Sequence, residues 1–111
     1  MEQWTNIIVK IQKEGIHYWK DCDLEEVDYL QYAHRHIFHI VCKKEVNHDD
    51  RDIEIIMFKH KIEDYLTEKY GVVAEFGGMS CEMIAKELLN KFELSYCSVL
   101  EDNENGAEVW K

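Results

Sequence analysis

Three histidines stand at positions where two neighbouring strands would bring their imidazoles together. His34 and His36 are two residues apart, so on a strand both side chains point to the same face of the sheet. His17 lies near the end of the preceding strand-like segment, which a hairpin-like return would place alongside. Three neutral imidazoles make a good zinc site, with a fourth position open for water or substrate. Such an ion would polarise a carbonyl group or lower the pKa of a bound water molecule.

The same histidines also have a plainer interpretation. An H-x-H pair alone is a weak signal in a chain with 6 histidines, which commonly lie on the surface or pair with carboxylates. We predict a structural role for His39, which faces the other side of its strand, and surface positions for His48 and His60. The segment NHDDRD at 47–52 has carboxylates that suit magnesium, but we interpret it as a solvated turn and helix cap.

Composition restricts the classes of protein to which the chain can belong. Its 111 residues include 23 acidic and 13 basic side chains, for a formal charge of −10. With 46% hydrophobic residues the chain can build a core, and its length suits one domain over residues 1–111. The acidic balance disfavours nucleic acid as a partner, because binding to nucleic acid depends on cations that neutralise phosphates. A small metabolite needs only a local pocket and stays compatible with this charge.

The cysteines and the N-terminal residues predict where the protein resides. Four widely separated cysteines contain no C-x-x-C pair, and residues 1–6 lack the basic start and apolar run of a signal peptide. No stretch approaches the roughly 18 apolar residues that a membrane span requires. These features predict a cytoplasmic protein with reduced thiols and no membrane partner.

The elements that must position these residues follow the order β-β-α-α-β-β. Alternation of apolar and polar residues predicts one strand within 4–20 and a second over 34–46. Helical spacing predicts a helix at about 57–70, ended by a glycine, and another that Ser80 caps at its N-terminus. Two strands follow at 94–100 and 107–110, with Asn105-Gly106 as the expected hairpin turn.

The simplest packing of these elements is an α+β fold. It consists of a four-stranded antiparallel sheet with two helices on one face. Such a sheet leaves its edge strands unpaired, so we expect the chain to form a homo-oligomer.

At this level of detail the sequence resembles the 6-pyruvoyltetrahydropterin synthase and 6-carboxytetrahydropterin synthase family. His17 followed by HRHIF at 34–38 is similar to the family's zinc-binding histidine on the first strand and the H-G-H-N-Y-like motif that opens the second. The segment SCEMIA at 80–85 is similar to the T-x-E-N-L-A start of the family's second helix. The segment VLED at 99–102 is similar to the E-T of its final strand, whose glutamate anchors the pterin ring.

The resemblance implies a fold, a cofactor and a ligand. The fold is the family's T-fold, in which β-β-α-α-β-β subunits assemble through sheet edges and bind ligands between them. The implied cofactor is zinc, with His17, His34 and His36 as its ligands. A pterin- or purine-like heterocycle would be oriented by Glu101, with Ser80 and Glu82 at the same site. The implied activity is that of a zinc-dependent lyase.

Departures from the family pattern leave the reaction open. The family's nucleophilic cysteine lies just before the H-x-H motif, where this chain has Leu-Gln-Tyr at 30–32. Cys22, earlier in the same loop, is the candidate replacement, with Glu101 as the second candidate catalytic residue. The family's Asp-His pair would fall within 71–78, which contains no histidine. The alternatives are a catalytically silent protein of the same fold that binds or sequesters a nucleotide-like metabolite, and a structural or interaction module.

The two acidic candidates also have structural interpretations. Without the resemblance, Glu101 is simply a residue at the end of a strand beside an acidic hairpin. Glu82 would then complement the positive N-terminus of its helix.

Overall fold

Two long strands form the centre of the sheet. A computed structural model describes residues 2–111. In it β1 (Thr5–His17) and β2 (His34–Val46) pair antiparallel along their whole length, with Thr5 opposite Val46 and His17 opposite His34. The connection between them contains a 3₁₀ helix at Glu25–Gln31. The end of β1 and the start of β2 therefore lie side by side, as the histidine spacing predicts.

Three further strands complete the sheet. The short β3 (Ala74–Gly77) pairs parallel with the end of β1, β4 (Tyr96–Glu101) pairs antiparallel with β2, and β5 (Asn105–Trp110) pairs antiparallel with β4. The strand order is β3-β1-β2-β4-β5.

The prediction of an α+β fold is confirmed, whereas the four-stranded antiparallel sheet is wrong, because the sheet is mixed and five-stranded. The sequence AEFG of β3 is too short to show a periodicity. It becomes a strand only through its pairing with β1.

Both helices begin at a side chain that accepts backbone N–H groups. The helix α1 (Ile55–Tyr70) starts two residues earlier than predicted, because the carboxylate of Glu54 accepts hydrogen bonds from the first turn. It ends at Gly71, whose φ of 100° favours glycine. The helix α2 (Cys81–Lys91) is capped by the hydroxyl of Ser80, as predicted. Within residues 2–111, neither helix is long and apolar enough to cross a membrane.

The helices cover one face of the sheet and form the core with it. Val9 and Ile11 on β1 alternate with exposed residues, and Phe38 and Ile40 on β2 lie on the same buried face. The side chains of α1 and α2 that face the sheet join these residues in one cluster. The same alternation places His17, His34 and His36 on the helix-facing side of the sheet.

The hairpin between β4 and β5 turns three residues before the predicted position. Asp102 and Asn103 have φ values of 53° and 59°, and the N–H of Glu104 donates to the carbonyl of Glu101 at 2.9 Å. The predicted Asn105-Gly106 turn is wrong, because both residues belong to β5. Gly106 instead allows the backbones of β4 and β5 to come close together, since a Cβ at this position would clash with a carbonyl oxygen of β4. Glu101 is thereby fixed as the last residue of β4, beside the start of β2.

Candidate metal centre and adjoining cavity

Four potential ligand residues meet at one end of the sheet. His17 ends β1, His34 and His36 open β2, and Glu101 ends β4. One ligand atom from each of these residues lies within 4.8 Å of the corresponding atoms of the others. The group could therefore hold a metal ion, and it contains all three histidines that the sequence singled out.

Strand register explains why the imidazoles converge. His17 is directly opposite His34, with ring centroids 4.5 Å apart, and the centroid of His36 lies 5.4 Å from that of His17. The residue opposite His36 is Gly15, where a Cβ would come within 2.8 Å of the Phe76 ring. A side chain at position 15 would push into the aromatic layer beneath the histidines. Glycine therefore leaves room for the Phe76 ring to pack against β1.

The Nδ1 atoms of two histidines are bound to backbone carbonyls. His17 Nδ1 lies 2.8 Å from the carbonyl oxygen of Met79, and His34 Nδ1 lies 2.8 Å from that of Tyr32. A carbonyl oxygen can only accept a hydrogen bond, so each Nδ1 carries a proton. With Nδ1 engaged in this way, Nε2 of each ring is the nitrogen available to bind a metal ion.

The third histidine is oriented by a carboxylate. His36 Nδ1 lies 2.7 Å from Oδ2 of Asp102, whose Oδ1 accepts the N–H of Ile37 at 3.0 Å. These two hydrogen bonds, from His36 and then from the backbone, hold the pKa of Asp102 below its usual range. The ionised carboxylate fixes the tautomer and ring orientation of His36, as outer carboxylates do around metal-binding histidines.

The inward-facing nitrogens lack the hydrogen bonds that a buried polar atom requires. Among the described residues, Nε2 of His17 and Nε2 of His36 have no hydrogen-bond partner, although both are buried. Oε2 of Glu101 lies 2.8 Å from the first, and Oε1 lies 3.6 Å from the second. These contacts meet the distance of an ion pair without the direction of a hydrogen bond. A lone pair facing a carboxylate at this distance is repelled unless a proton or a metal ion lies between the two groups.

The donor set fits a divalent transition metal. Imidazole nitrogen and carboxylate oxygen are ordinary ligands of zinc, and the same donors also serve other first-row metals. The buried Nε2 atoms, the Nδ1 contacts and the carboxylate of Glu101 all suit a cation at this point. The residues present therefore fit a metal ion, and they leave its identity open.

A cavity of about 440 Å³ opens beside the four residues. Trp19 and Leu30, from the connection between β1 and β2, form one part of its lining, and Met79 and Met83 form another. His17, His34 and Glu101 reach it from the metal centre. The volume lies within the range of small-molecule sites, which are mostly apolar with a few polar groups.

The predicted ligand-binding residues all line this cavity, whereas the predicted cysteine does not. Ser80, Glu82 and Glu101 contribute to the lining, although the Ser80 hydroxyl is engaged in capping α2. Cys22 is not among the lining residues, and its Sγ donates to the carbonyl of Val27 at 3.6 Å.

Two further residues at the site were not singled out by sequence reasoning. Cys81 lines the cavity, and the pKa of its thiol is raised to about 12 by burial and by the negative charges of Glu101 and Glu82. In the sequence it reads as one more apolar position of the amphipathic helix. Asp102 supports His36 across the sheet, a contact that follows only from the β2–β4 register.

Comparison with known proteins does not assign a function to this site. No protein-family model matches the chain, and no curated protein matches it significantly. The resemblance to the pterin synthase family therefore stays a hypothesis carried by its motifs.

Proposed function

We propose that the protein binds a zinc ion and, beside it, a pterin- or purine-like heterocycle, as a divergent relative of the pterin synthase family. One observation carries the proposal. In His17, His34 and His36, Nδ1 is hydrogen-bonded to a backbone carbonyl or a carboxylate, which leaves the three Nε2 atoms to face one another next to Glu101. Unrelated surface histidines are not expected to show this common arrangement, because water can satisfy the hydrogen bonds of each ring separately. A metal centre requires it.

The strand order supports the family relationship. Strands β1, β2, β4 and β5 are consecutive neighbours and mutually antiparallel, and both α-helices lie between β2 and β4 in the chain. This is the order that the T-fold resemblance implies, with β3 as an addition. The free edge of β5, where Trp110 is 65% exposed, is the edge through which we expect copies of the chain to associate.

Each part of the site has a role in ligand binding. The zinc ion, when bound, supplies a Lewis acid for a carbonyl or hydroxyl oxygen of the ligand. The carboxylate of Glu101 accepts N–H groups from the edge of a heterocyclic ring, or a proton from the ligand. Trp19, Leu30 and Met83 provide apolar surface for the ring faces.

Binding without turnover is favoured over a lyase reaction. The thiol of Cys22, the candidate nucleophile, is bound to a carbonyl in its own loop and lies outside the cavity lining. Residues 71–78 also lack the histidine of the family's activating pair. A lyase would then have to rely on Glu101 for proton transfer, so we propose sequestration or sensing of the heterocycle as the function.

Metal content of the purified protein tests the proposal. We expect about one zinc per chain in the wild type and a much weaker affinity for zinc, measured against a chelator, in His34→Ala, which loses one of the three histidine ligands. His39→Ala is the matched control, because it removes an imidazole from the opposite face of the same strand. Substoichiometric zinc in the wild type, or wild-type zinc affinity in His34→Ala, would contradict the proposal.

Ligand binding is tested next on the zinc-loaded protein. A heterocycle that binds the folded state raises its melting temperature in proportion to the logarithm of ligand concentration. Stabilisation with no change in the ligand after prolonged incubation would support sequestration or sensing. Conversion of the ligand to a new product would support the lyase instead.

A further inference from the structure

We propose that the ligand of the cavity carries no phosphate and is a neutral or cationic planar heterocycle with N–H groups on its edge. This inference rests on the proposed function and deepens it, since it excludes nucleotides and phosphorylated pterins. It follows from the charges that line the cavity and from those around the metal centre.

The cavity has no side chain that would bind a phosphate. Among the described residues that line it there is no lysine and no arginine, and its charged side chains are the carboxylates of Glu82 and Glu101. Sites for phosphorylated ligands commonly use Arg or Lys to neutralise the phosphate and to donate hydrogen bonds. Two carboxylates do the opposite, because they repel a phosphate and offer it only acceptor oxygens.

A bound metal does not reverse this balance. A divalent ion adds two positive charges, while Glu101, Asp102 and Glu82 together contribute three negative charges around it, and the charge of the nearby Arg35 is offset by its partner Glu14. The histidines are neutral when they ligate a metal. The site with its ion therefore keeps about one negative charge, and the chain as a whole has a formal charge of −10. Neither the local nor the long-range field attracts a phosphate.

The N-terminus of α2 is the remaining structure that could receive an anion. Helix N-termini bind phosphates through free N–H groups and the helix dipole. Here the hydroxyl of Ser80 already accepts the N–H of Met83, and Glu82 places a carboxylate in the first turn. Because Glu82 already supplies the negative charge that a phosphate would bring, the helix end offers little further attraction.

The same lining suits an amino-substituted ring. Trp19 is exposed and its indole lines the cavity, and Met79 and Met83 add polarisable apolar surface for stacking. The oxygens of Glu82 and Glu101 are acceptors for the N–H groups of such a ring, whether neutral or protonated. A cavity of about 440 Å³ has room for one heterocycle with a small substituent.

Matched pairs of ligands that differ only in a phosphate test the inference. We would titrate zinc-loaded wild type with guanosine and GMP, and with neopterin and its monophosphate, and measure affinity by calorimetry. Zinc content is measured after each titration, so that removal of the metal by a phosphate is recognised. At least one unphosphorylated member should bind, with its phosphorylated partner about tenfold weaker or more.

A charge variant sharpens the test. Glu82→Gln should strengthen binding of the phosphorylated member severalfold and leave zinc content unchanged, whereas Glu68→Gln, on the exposed face of α1, should change neither. Equal or tighter binding of the phosphorylated member in either pair would overturn the inference, as would no binding of any probe. A wild type that fails to hold zinc would refute the proposed function instead, so the two failures are distinguishable.

Discussion

Replacing Asp102 with Asn removes the group that sets the tautomer of His36 and should weaken metal binding. The Asp102 carboxylate uses both oxygens, one toward His36 Nδ1 at 2.7 Å and one toward the N–H of Ile37 at 3.0 Å. Asn can retain the second bond through its carbonyl oxygen, and it tolerates the φ of 53° at this position. Its amide N–H₂ then faces Nδ1. Because two donors oppose each other there, the imidazole would move its proton to Nε2 and lose the lone pair that binds the metal.

The size of this effect can be bounded. Loss of an outer carboxylate behind a ligating histidine costs about 10–100-fold in metal affinity, which corresponds to about 1.4–2.7 kcal/mol. The metal-free protein should be affected less, because Asp102 is exposed on the hairpin and the bond to Ile37 survives. We therefore expect Asp102→Asn to lower metal affinity clearly while it changes the stability of the metal-free chain only slightly.

Competition against a zinc chelator gives the affinity, and urea unfolding of metal-free protein gives the stability. Asp52→Asn is the matched control, because Asp52 also accepts a backbone N–H and lies 3.5 Å from the histidine His48, outside the metal centre. We expect Asp52→Asn to retain wild-type affinity. An Asp102→Asn affinity within threefold of the wild type would refute the assignment of His36 as a metal ligand held by Asp102.

Three further substitutions probe the fold and the site. Glu87→Gln should cost about 1–2 kcal/mol at pH 7 in urea unfolding. Burial alone would raise the pKa of Glu87, but hydrogen bonds from Tyr70 and neighbouring donors hold it below its usual value. The destabilisation by Glu87→Gln should therefore vanish as the pH falls through that lowered pKa. A destabilisation that persists at low pH would contradict this prediction. Gly106→Ala should destabilise the hairpin by about 2 kcal/mol or more, measured by thermal unfolding, since its Cβ would lie 1.8 Å from a carbonyl oxygen. Cys22→Ser should leave zinc content unchanged in elemental analysis, and a loss of zinc would place its thiol at the site.

Local sequence patterns predict the parts of the fold whose signal lies within one element. The strand at 34–46, the cap at Ser80 and the end of α1 at Gly71 follow from alternation, capping chemistry and a positive φ. The strand β3 does not, because four residues cannot display a period and only the partner strand makes them extended. The prediction of a turn at Asn105-Gly106 failed because tertiary contacts decide the role of this glycine. Gly106 is needed where the backbones of β4 and β5 come close together, and not for a turn.

The candidate site shows the same division between local and tertiary information. The H-x-H spacing predicts that His34 and His36 share a face, and adjacency to the end of β1 brings in His17. The contact of Glu101 with these histidines depends on the pairing of β2 with β4 across a long sequence separation. Asp102 was missed because its role depends on the same pairing.

Anomalous diffraction from crystals of the zinc-loaded protein, collected on both sides of the zinc absorption edge, tests the metal centre most directly. We expect one anomalous peak per chain, with a nitrogen of each of His17, His34 and His36 at about 2.0–2.1 Å from it and Glu101 beside its open fourth position. Such a peak would confirm that zinc binds at this point and would identify its ligands. A zinc-loaded crystal with no peak among these four residues, or with its peak elsewhere on the chain, would contradict the account.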